Sequence, residues 1–385
     1  MKIAILFYAP FPWNRGIHLV ASALREAGHD VVVYCPEGRV GESSDTSVPV
    51  VRRSRGALPV YIDVVWLFWL ARRMRRDGVD VVWTRDLPLM PFAIVAGRLL
   101  RRPVCFDMRE NFPAAYVARR GSIGVGERII HAVLKAVERV CIRLSDHVFV
   151  VVEEQKERLV AMGVAAERVS VNMTTPDSDF LASCPAPITG GPGISAVYAG
   201  HFFAFRGLGM VLEAVAEARR RGARVHLTIA GGGGRGDDER RDELLDQTRA
   251  LGIEDAVNVA GWIDPRNLPA FLAEFDVGLI TNELSEHTET TIPGKLFEYM
   301  ACGLMVISSD LAPVRRIVER EQVGYVFRPY AVEALAERLV LVAGMTPEGR
   351  LAIRLRGWRA ARDQYNWHRQ SRALVKAVAH LAADA

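Results

Sequence analysis

The 385 residues include only five cysteines, and that scarcity argues against a disulfide framework. Cys35, Cys105, Cys141, Cys184 and Cys302 are scattered, odd in number and never in C-x-x-C spacing, so a zinc knuckle is disfavoured too. A reducing, cytoplasmic setting fits this usage. Long apolar runs are also missing: the longest, Val60 to Ala71, is shorter than the ~20 residues that a membrane-spanning helix needs. The opening stretch Met1 to Leu6 breaks at Pro10 and Pro12 with no small-residue cleavage site, so it is expected to be a first strand and not a signal peptide. No charge sign dominates. The net charge of +4 is too mild for a nucleic-acid binder, and no nucleic-acid motif occurs. H-E-x-x-H, EF-hand and Walker A sequences are absent, so neither a metal nor a bound cofactor is expected. Gly231 to Gly234 follow a strand pattern but do not satisfy G-x-G-x-x-G with a ribose-binding acid about 20 residues on, which speaks against a dinucleotide enzyme.

What is present is hydrophobic residue, half of the chain, in a length that exceeds one ordinary core. Lys2 to Tyr8, a Pro/Asn/Gly loop, a helical pattern over Ile17 to Ala27, Gly28 and a second apolar run from Asp30 form a strand, helix and strand unit. The same grammar recurs at Val79 to Trp83, Pro103 to Asp107 and His147 to Val152. It restarts at Ala196 to Ala199 and returns at Val225 to Ala230, Val257 to Ala260, Val277 to Ile280 and Met305 to Ser308. An α/β protein of two doubly wound, Rossmann-like parallel-sheet domains follows, with ligands expected in a crevice at the carboxyl ends of the strands. The expected division is an acceptor-side domain over 1–185, a Pro/Gly/Ser-rich linker over 186–195, a second domain over 196–360, and a terminal helix over 361–385 packing back toward the first.

Val60 to Ala71 carries Trp66, Phe68 and Trp69 and is flanked by Arg52, Arg53, Arg55, Arg72, Arg73, Arg75 and Arg76. A buried or half-buried helix is favoured there, with contact to the inner face of a membrane as the alternative.

The most informative segment is Thr291 to Gly303. Pro293 suits the first turn of a helix and Gly303 its end, so a helix is expected over Pro293 to Cys302. Its N–H groups would receive phosphate, and Glu298 would lie where a carboxylate can hold two ribose hydroxyls. The bland alternative is an ordinary helix with Lys295 and Glu298 solvated.

Pro293-Gly294-Lys295-Leu296-Phe297-Glu298-Tyr299-Met300-Ala301-Cys302-Gly303 resembles the donor-site signature of family 4 glycosyltransferases, retaining enzymes of the GT-B fold. Ala27 to Val31, Tyr198 to His201, Arg206-Gly207, Ala230 to Gly234, Val259 to Ile263, Asp276 to Leu279 and Tyr365 to Trp367 resemble further segments of the family, in its order. The resemblance implies a nucleotide-diphosphate sugar as donor, bound by the second domain, and transfer without a metal. Glu298 would bind the donor ribose. Arg206 matches the second of two basic positions that neutralise the diphosphate, and His201 occupies the first, usually Arg. Lys295 joins Arg206 as a catalytic candidate. Thr290 stands where the family has the first of two paired glutamates, with Glu289 beside it. Gly16, Gly231, Gly232, Ile263, Pro293, Gly294 and Leu296 complete the expected donor contacts, and His287 could touch the donor.

In the first domain Phe106 to Pro113 resembles the family's Asp-x-His-Glu segment, with Arg109 in place of His. Asp107, Arg109 and Glu110 are thereby candidates for holding the acceptor, Arg109 and Glu110 also for catalysis; the plainer alternative is that Arg109 pairs with Asp107 or Glu110. Arg15, in the loop Trp13 to Gly16, is a further acceptor candidate. The acceptor could be a small molecule, a saccharide or a lipid-linked sugar. A non-catalytic nucleotide-sugar-binding subunit and a GT-B epimerase are the competing functions.

Overall fold

Parallel strands need crossovers long enough to cover a sheet face, and alternating β-branched runs with amphipathic helices supply them. A computed structural model of the chain describes all residues except 10–14, 38–47, 54–58, 60, 121–123, 233–236 and 384–385. They fall into two compact units: Met1–Val117, Ser122–Thr174 and Trp367–Ala385 make the first, Ala118–Gly121 and Thr175–Asn366 the second.

The first unit has seven strands: β1 (Lys2–Leu6), β2 (Asp30–Pro36), β3 (Val50–Arg53), β4 (Val81–Arg85), β5 (Val104–Met108), β6 (His147–Val150) and β7 (Val169–Val171). They form one parallel sheet in the order β3-β2-β1-β4-β5-β6-β7. Strand residues alternate between its faces. Ile3, Ile5, Val81, Trp83 and Phe149 pack under the helix Arg15–Glu26 and the terminal helix Trp367–Ala383, whose Trp367 Nε1 donates to Leu19 O at 3.2 Å. Ala4, Leu6, Val82, Phe106 and Val148 pack against the helices Val64–Asp77, Met90–Leu100 and Val125–Leu144 on the other face. The helix Val64–Asp77 buries Trp66, Leu70 and Met74 at helical spacing and leaves its opposite side in solvent.

The second unit has six strands: β8 (Ile194–Ala199), β9 (Val225–Ala230), β10 (Val257–Ala260), β11 (Val277–Ile280), β12 (Met305–Ser309) and β13 (Gly324–Phe327). Its parallel sheet runs β10-β9-β8-β11-β12-β13. Strand order reverses at β1 in the first sheet and at β8 in the second, which marks the carboxyl ends there as the places for ligands.

The division of the chain differs from the expected one. Residues 186–195 do not separate the units; they are pinned to the second by arginines of the helix Pro347–Asp363. Arg350 Nη2 donates to Gly191 O at 2.6 Å, Arg354 Nη1 to Ile188 O at 3.2 Å and to Asp276 Oδ1 at 2.8 Å, and Arg362 Nη2 to Leu181 O and Cys184 O, both at 2.7 Å. Proline, glycine and serine mark irregular backbone, and irregular backbone need not be a hinge once its carbonyls are held. The chain instead returns to the first unit after Asn366, six residues beyond the expected start of the terminal helix at 361.

Candidate functional site

At the carboxyl ends of β8, β9 and β10 lies a cavity of about 190 Å³. Ala199, Gly200, His201, Ala230, Gly231, Gly232, Trp262, Ile263, Leu268 and Glu298 line it. The backbone comes close because Gly231 has φ of 149° and a Cβ there would sit 1.8 Å from Gly200 O. Any side chain at 231 would close the approach. Of the expected donor residues, His201, Gly231, Gly232, Ile263 and Glu298 meet here, whereas Gly233 and Gly234 lie outside the described residues. Trp262, 61% exposed, and Leu268 belong to the same wall. Leu268 carried no signal in the sequence.

Glu298 arrives on the helix Lys295–Ala301, which the core holds from below. Phe297 is fully buried and stacks on Tyr365, with ring centroids 5.2 Å apart, and the buried Tyr299 hydroxyl accepts the Ala199 N–H at 3.0 Å. Tyr365 therefore underpins this helix.

The helix is shorter than expected. Pro293 precedes it, the Leu296 N–H turns back to Pro293 O at 3.0 Å and the Phe297 N–H to Gly294 O at 3.0 Å. The Leu296 N–H expected for phosphate is thus already engaged, and the Leu296 side chain lies in the core. Side chains supply the positive charge instead. Lys295 Nζ sits 3.7 Å from the centre of the Tyr198 ring, sealed from solvent and without a hydrogen-bond partner among the described residues. Burial, reinforced by the Arg206 charge, pushes the Lys295 amine well below its usual range, while Glu298 acts the other way. The solvated Lys295 of the bland alternative is excluded.

Arg206 Nη1 donates to the buried Asn282 Oδ1 at 2.9 Å, and its guanidinium lies over Phe205 at 4.7 Å. Thr281 Oγ1 donates to Arg206 O at 2.6 Å, so the end of β11 fixes both ends of the arginine. Asn282 was not anticipated; its signal is a polar pair, Thr281-Asn282, directly after the apolar strand Val277 to Ile280. His201 is exposed and stacks on Phe203 at 5.3 Å, with its carbonyl accepting the Tyr198 hydroxyl at 2.6 Å. Thr290 is buried and its hydroxyl donates to Glu286 O at 2.6 Å, while Glu289 Oε1 accepts the Ala312 N–H at 3.0 Å. Thr290 thus serves local backbone and Glu289 the start of the helix Ala312–Glu321. His287 is buried, its ring edge-on to Phe205.

The first unit gathers a different cluster at the carboxyl ends of β4 and β5. Arg109 Nε and Asp107 Oδ1 are 2.7 Å apart, both side chains almost wholly buried, and Arg109 Nη1 also donates to Asn172 O at 2.9 Å and Thr174 Oγ1 at 3.1 Å. The plainer alternative holds for this pair: Arg109 clamps β5 to the segment after β7. Glu110 is half-buried beside it, and Arg15 is exposed at the start of its helix; Trp13 and Asn14 lie outside the described residues. Two neighbours were missed. Arg85 lies 3.9 Å from Asp86 at the end of β4, and its guanidinium packs on the buried Gly16, where a Cβ would fall 2.5 Å from Nη1. Arg85 Nε and Nη1 have no hydrogen-bond partner among the described residues. Burial raises the Asp86 carboxyl to about 6, with Arg85 opposing the rise.

Among the described residues no three His, Cys, Asp or Glu side chains are grouped to hold a metal ion. Comparison with known proteins gives a consistent result. Residues 14–172 match the family described as Glycosyltransferase Family 4, and residues 194–343 match Glycosyl transferases group 1. A glycogen synthase of Mycobacterium tuberculosis is 24% identical over 396 residues, covering 96% of this chain and 91% of that one. The putative colanic acid biosynthesis glycosyltransferase WcaL of Escherichia coli is 26% identical over 183 residues, so the match spans 47% of this chain and less than half, 44%, of that relative. The sucrose-phosphate synthase of Thermosynechococcus elongatus has the same fold, with a TM-score of 0.79 at 16% identity over the whole of both chains.

Proposed function

The chain belongs to the family 4 glycosyltransferases, and from that premise we propose that its second unit binds a nucleoside-diphosphate sugar in the cavity at the ends of β8, β9 and β10. The sugar passes to a small-molecule, saccharide or lipid-linked acceptor with its anomeric configuration retained. One observation carries the donor assignment: the Lys295 amine is sealed beside Arg206, with no hydrogen-bond partner among the described residues, behind a cavity that Glu298 lines. A buried cation in that position is costly until an anionic ligand arrives.

Glycosyl transfer develops positive charge at the anomeric carbon and negative charge on the departing diphosphate. Arg206 and Lys295, held by Asn282, Thr281 and Tyr198, are in place before the reaction, so they stabilise that charge with little reorganisation. Glu298 accepts hydrogen bonds from the ribose, and Trp262 and Ile263 flank the base. In this scheme the leaving phosphate takes the acceptor proton, and no metal ion takes part.

Thermal shifts with UDP-, GDP-, dTDP- and ADP-sugars test the donor assignment, because a ligand of the native state raises the melting temperature by mass action. One donor should stabilise the wild type and fail to stabilise Lys295→Ala. Equal shifts in both proteins would remove Lys295 from the site. Turnover with that donor in EDTA, and the anomeric coupling of the product by NMR, test metal independence and retention; donor binding with no transfer to any acceptor would leave a binding subunit.

A further inference from the structure

Exposed apolar side chains are unevenly spread over this molecule. Thirteen of the twenty large hydrophobic side chains exposed among the described residues lie on the helices Val64–Asp77, Met90–Leu100 and Val125–Leu144 or in the turn before the first. Val64 is 75% exposed, Phe68 64%, Leu99 76%, Val125 75%, Ile129 62% and Val133 55%. These three helices lie side by side on one face of the first sheet, with their inner sides in the same core. Their outer sides form one surface, larger in apolar content than scattered single residues produce.

The exposed charge on that surface is mostly positive. Nine arginines on these helices or just after the second are exposed: 72, 75, 76, 98, 101, 102, 128, 139 and 143. The nearby acidic residues are already engaged, Asp80 with Arg102 of this set at 3.6 Å and Asp146 with the Val104 N–H. Asp63 accepts the Trp66 N–H, Asp77 accepts from Arg73 and Tyr34, Glu127 accepts the Gly124 N–H, and Glu138 is buried against Arg158. Two depressions accompany the apolar residues. One of about 460 Å³ is lined by Trp69 with Arg72, Arg73, Arg75 and Arg76; the other, of about 770 Å³, includes Arg98, Arg101, Arg102, Arg143 and Arg168.

We propose that this three-helix face of the first unit docks on an anionic lipid bilayer, its apolar side chains entering the acyl boundary and its two arginine-lined depressions receiving phosphate headgroups. Apolar residues beside arginines on amphipathic helices are the composition of an interfacial surface. No helix among the described residues is long and apolar enough to cross a membrane, so the contact is peripheral. A nucleic acid would use the arginines but would leave the aliphatic residues in water. The proposal is independent of the donor assignment.

The test is flotation of the full chain with phosphatidylcholine vesicles, with and without phosphatidylglycerol. The wild type should float only with the anionic vesicles, and less at high salt. Each of Arg75→Gln and Arg76→Gln should weaken binding about fivefold. The pair Phe68→Ser and Ile129→Ser, which leaves every arginine in place, should weaken it at least as much; the pair Leu99→Ser and Val133→Ser replaces it if melting shows the first pair unfolded. Failure to float with anionic vesicles overturns the proposal. So does unchanged binding in the serine variants, or duplex DNA displacing the protein from vesicles with a dependence on the arginines alone.

Discussion

Both units bury cations at the carboxyl ends of their strands, and they treat them in opposite ways. In the first, Arg109 is neutralised by Asp107 at 2.7 Å, and its Nη1 reaches Asn172 O and Thr174 Oγ1. In the second, Lys295 Nζ lies on the face of Tyr198 with no hydrogen-bond partner among the described residues, and Arg206 Nη1 donates to the neutral Asn282 with its guanidinium over the Phe205 ring. A buried charge that the fold neutralises by itself serves the fold, whereas one left unneutralised is held for a ligand. Arg85 stands between the two cases, with a carboxylate at 3.9 Å that burial tends to keep protonated.

Breaking the self-neutralised pair should give the largest effect. Asp107→Ala strands the Arg109 charge in the core and is expected to cost about 3–5 kcal/mol of stability, measured by urea unfolding. A loss under 1 kcal/mol would mean that water or another group reaches Arg109. On the other side of the comparison, Arg206→Ala should lower kcat by on the order of 10²-fold with little change in melting temperature. Full activity in that variant would put the diphosphate elsewhere. Glu298→Ala should act on donor KM more than on kcat, since ribose contacts are similar in ground and transition states.

The sequence made the sheets legible and hid the stapling of one segment to another. β1, β2 and the strands around β8 were visible as apolar runs, whereas the short β3 (Val-Val-Arg-Arg), β7 (Val-Ser-Val) and β13 (Gly-Tyr-Val-Phe) were not predicted. β4 was expected to stop at Trp83 because Thr84 and Arg85 are polar; Thr84 is nonetheless buried and the strand continues to Arg85. The same polarity concealed Arg85 and Asp86, whose importance depends on burial and not on residue type. Residues 186–195 were expected to link two domains because composition reports backbone regularity and says nothing about distant partners such as Arg350 and Arg354. The helix Lys295–Ala301 was legible because its residues are consecutive. Asn282, Tyr198 and Leu268 come from separate elements, and only the fold assembles them.

Asp86 allows a pH test of the intermediate case. Burial raises its folded carboxyl to about 6, above the usual 3.8, so the folded state holds this proton more tightly than the unfolded state. The stabilising contribution is complete below the unfolded value and is lost as pH rises through about 6. Asp86→Asn should remove that slope and gain on the order of 2 kcal/mol at pH 7 relative to wild type. Asn also tolerates the positive φ of 60° at this position. A slope unchanged by the substitution would assign the titration to another group.

The smallest effect, and the sharpest on the unneutralised side, is a proton count. Burial and Arg206 disfavour the charged form of Lys295 in the ligand-free protein, whereas a diphosphate brought against its Nζ favours that form. Donor binding should therefore raise the Lys295 pKa and take up a fraction of a proton at a pH where the free amine is partly neutral. Calorimetry over a series of pH values in buffers of different ionisation enthalpy measures this directly, as a slope of apparent binding enthalpy against buffer enthalpy. Lys295→Met should abolish the slope, weaken the donor, and leave the ligand-free protein slightly more stable, because it removes a buried amine that has no partner. Proton uptake that persists in Lys295→Met would assign the linkage to another group. A variant less stable without donor would show that the amine is already neutralised within the fold, and the contrast between the two units would then vanish.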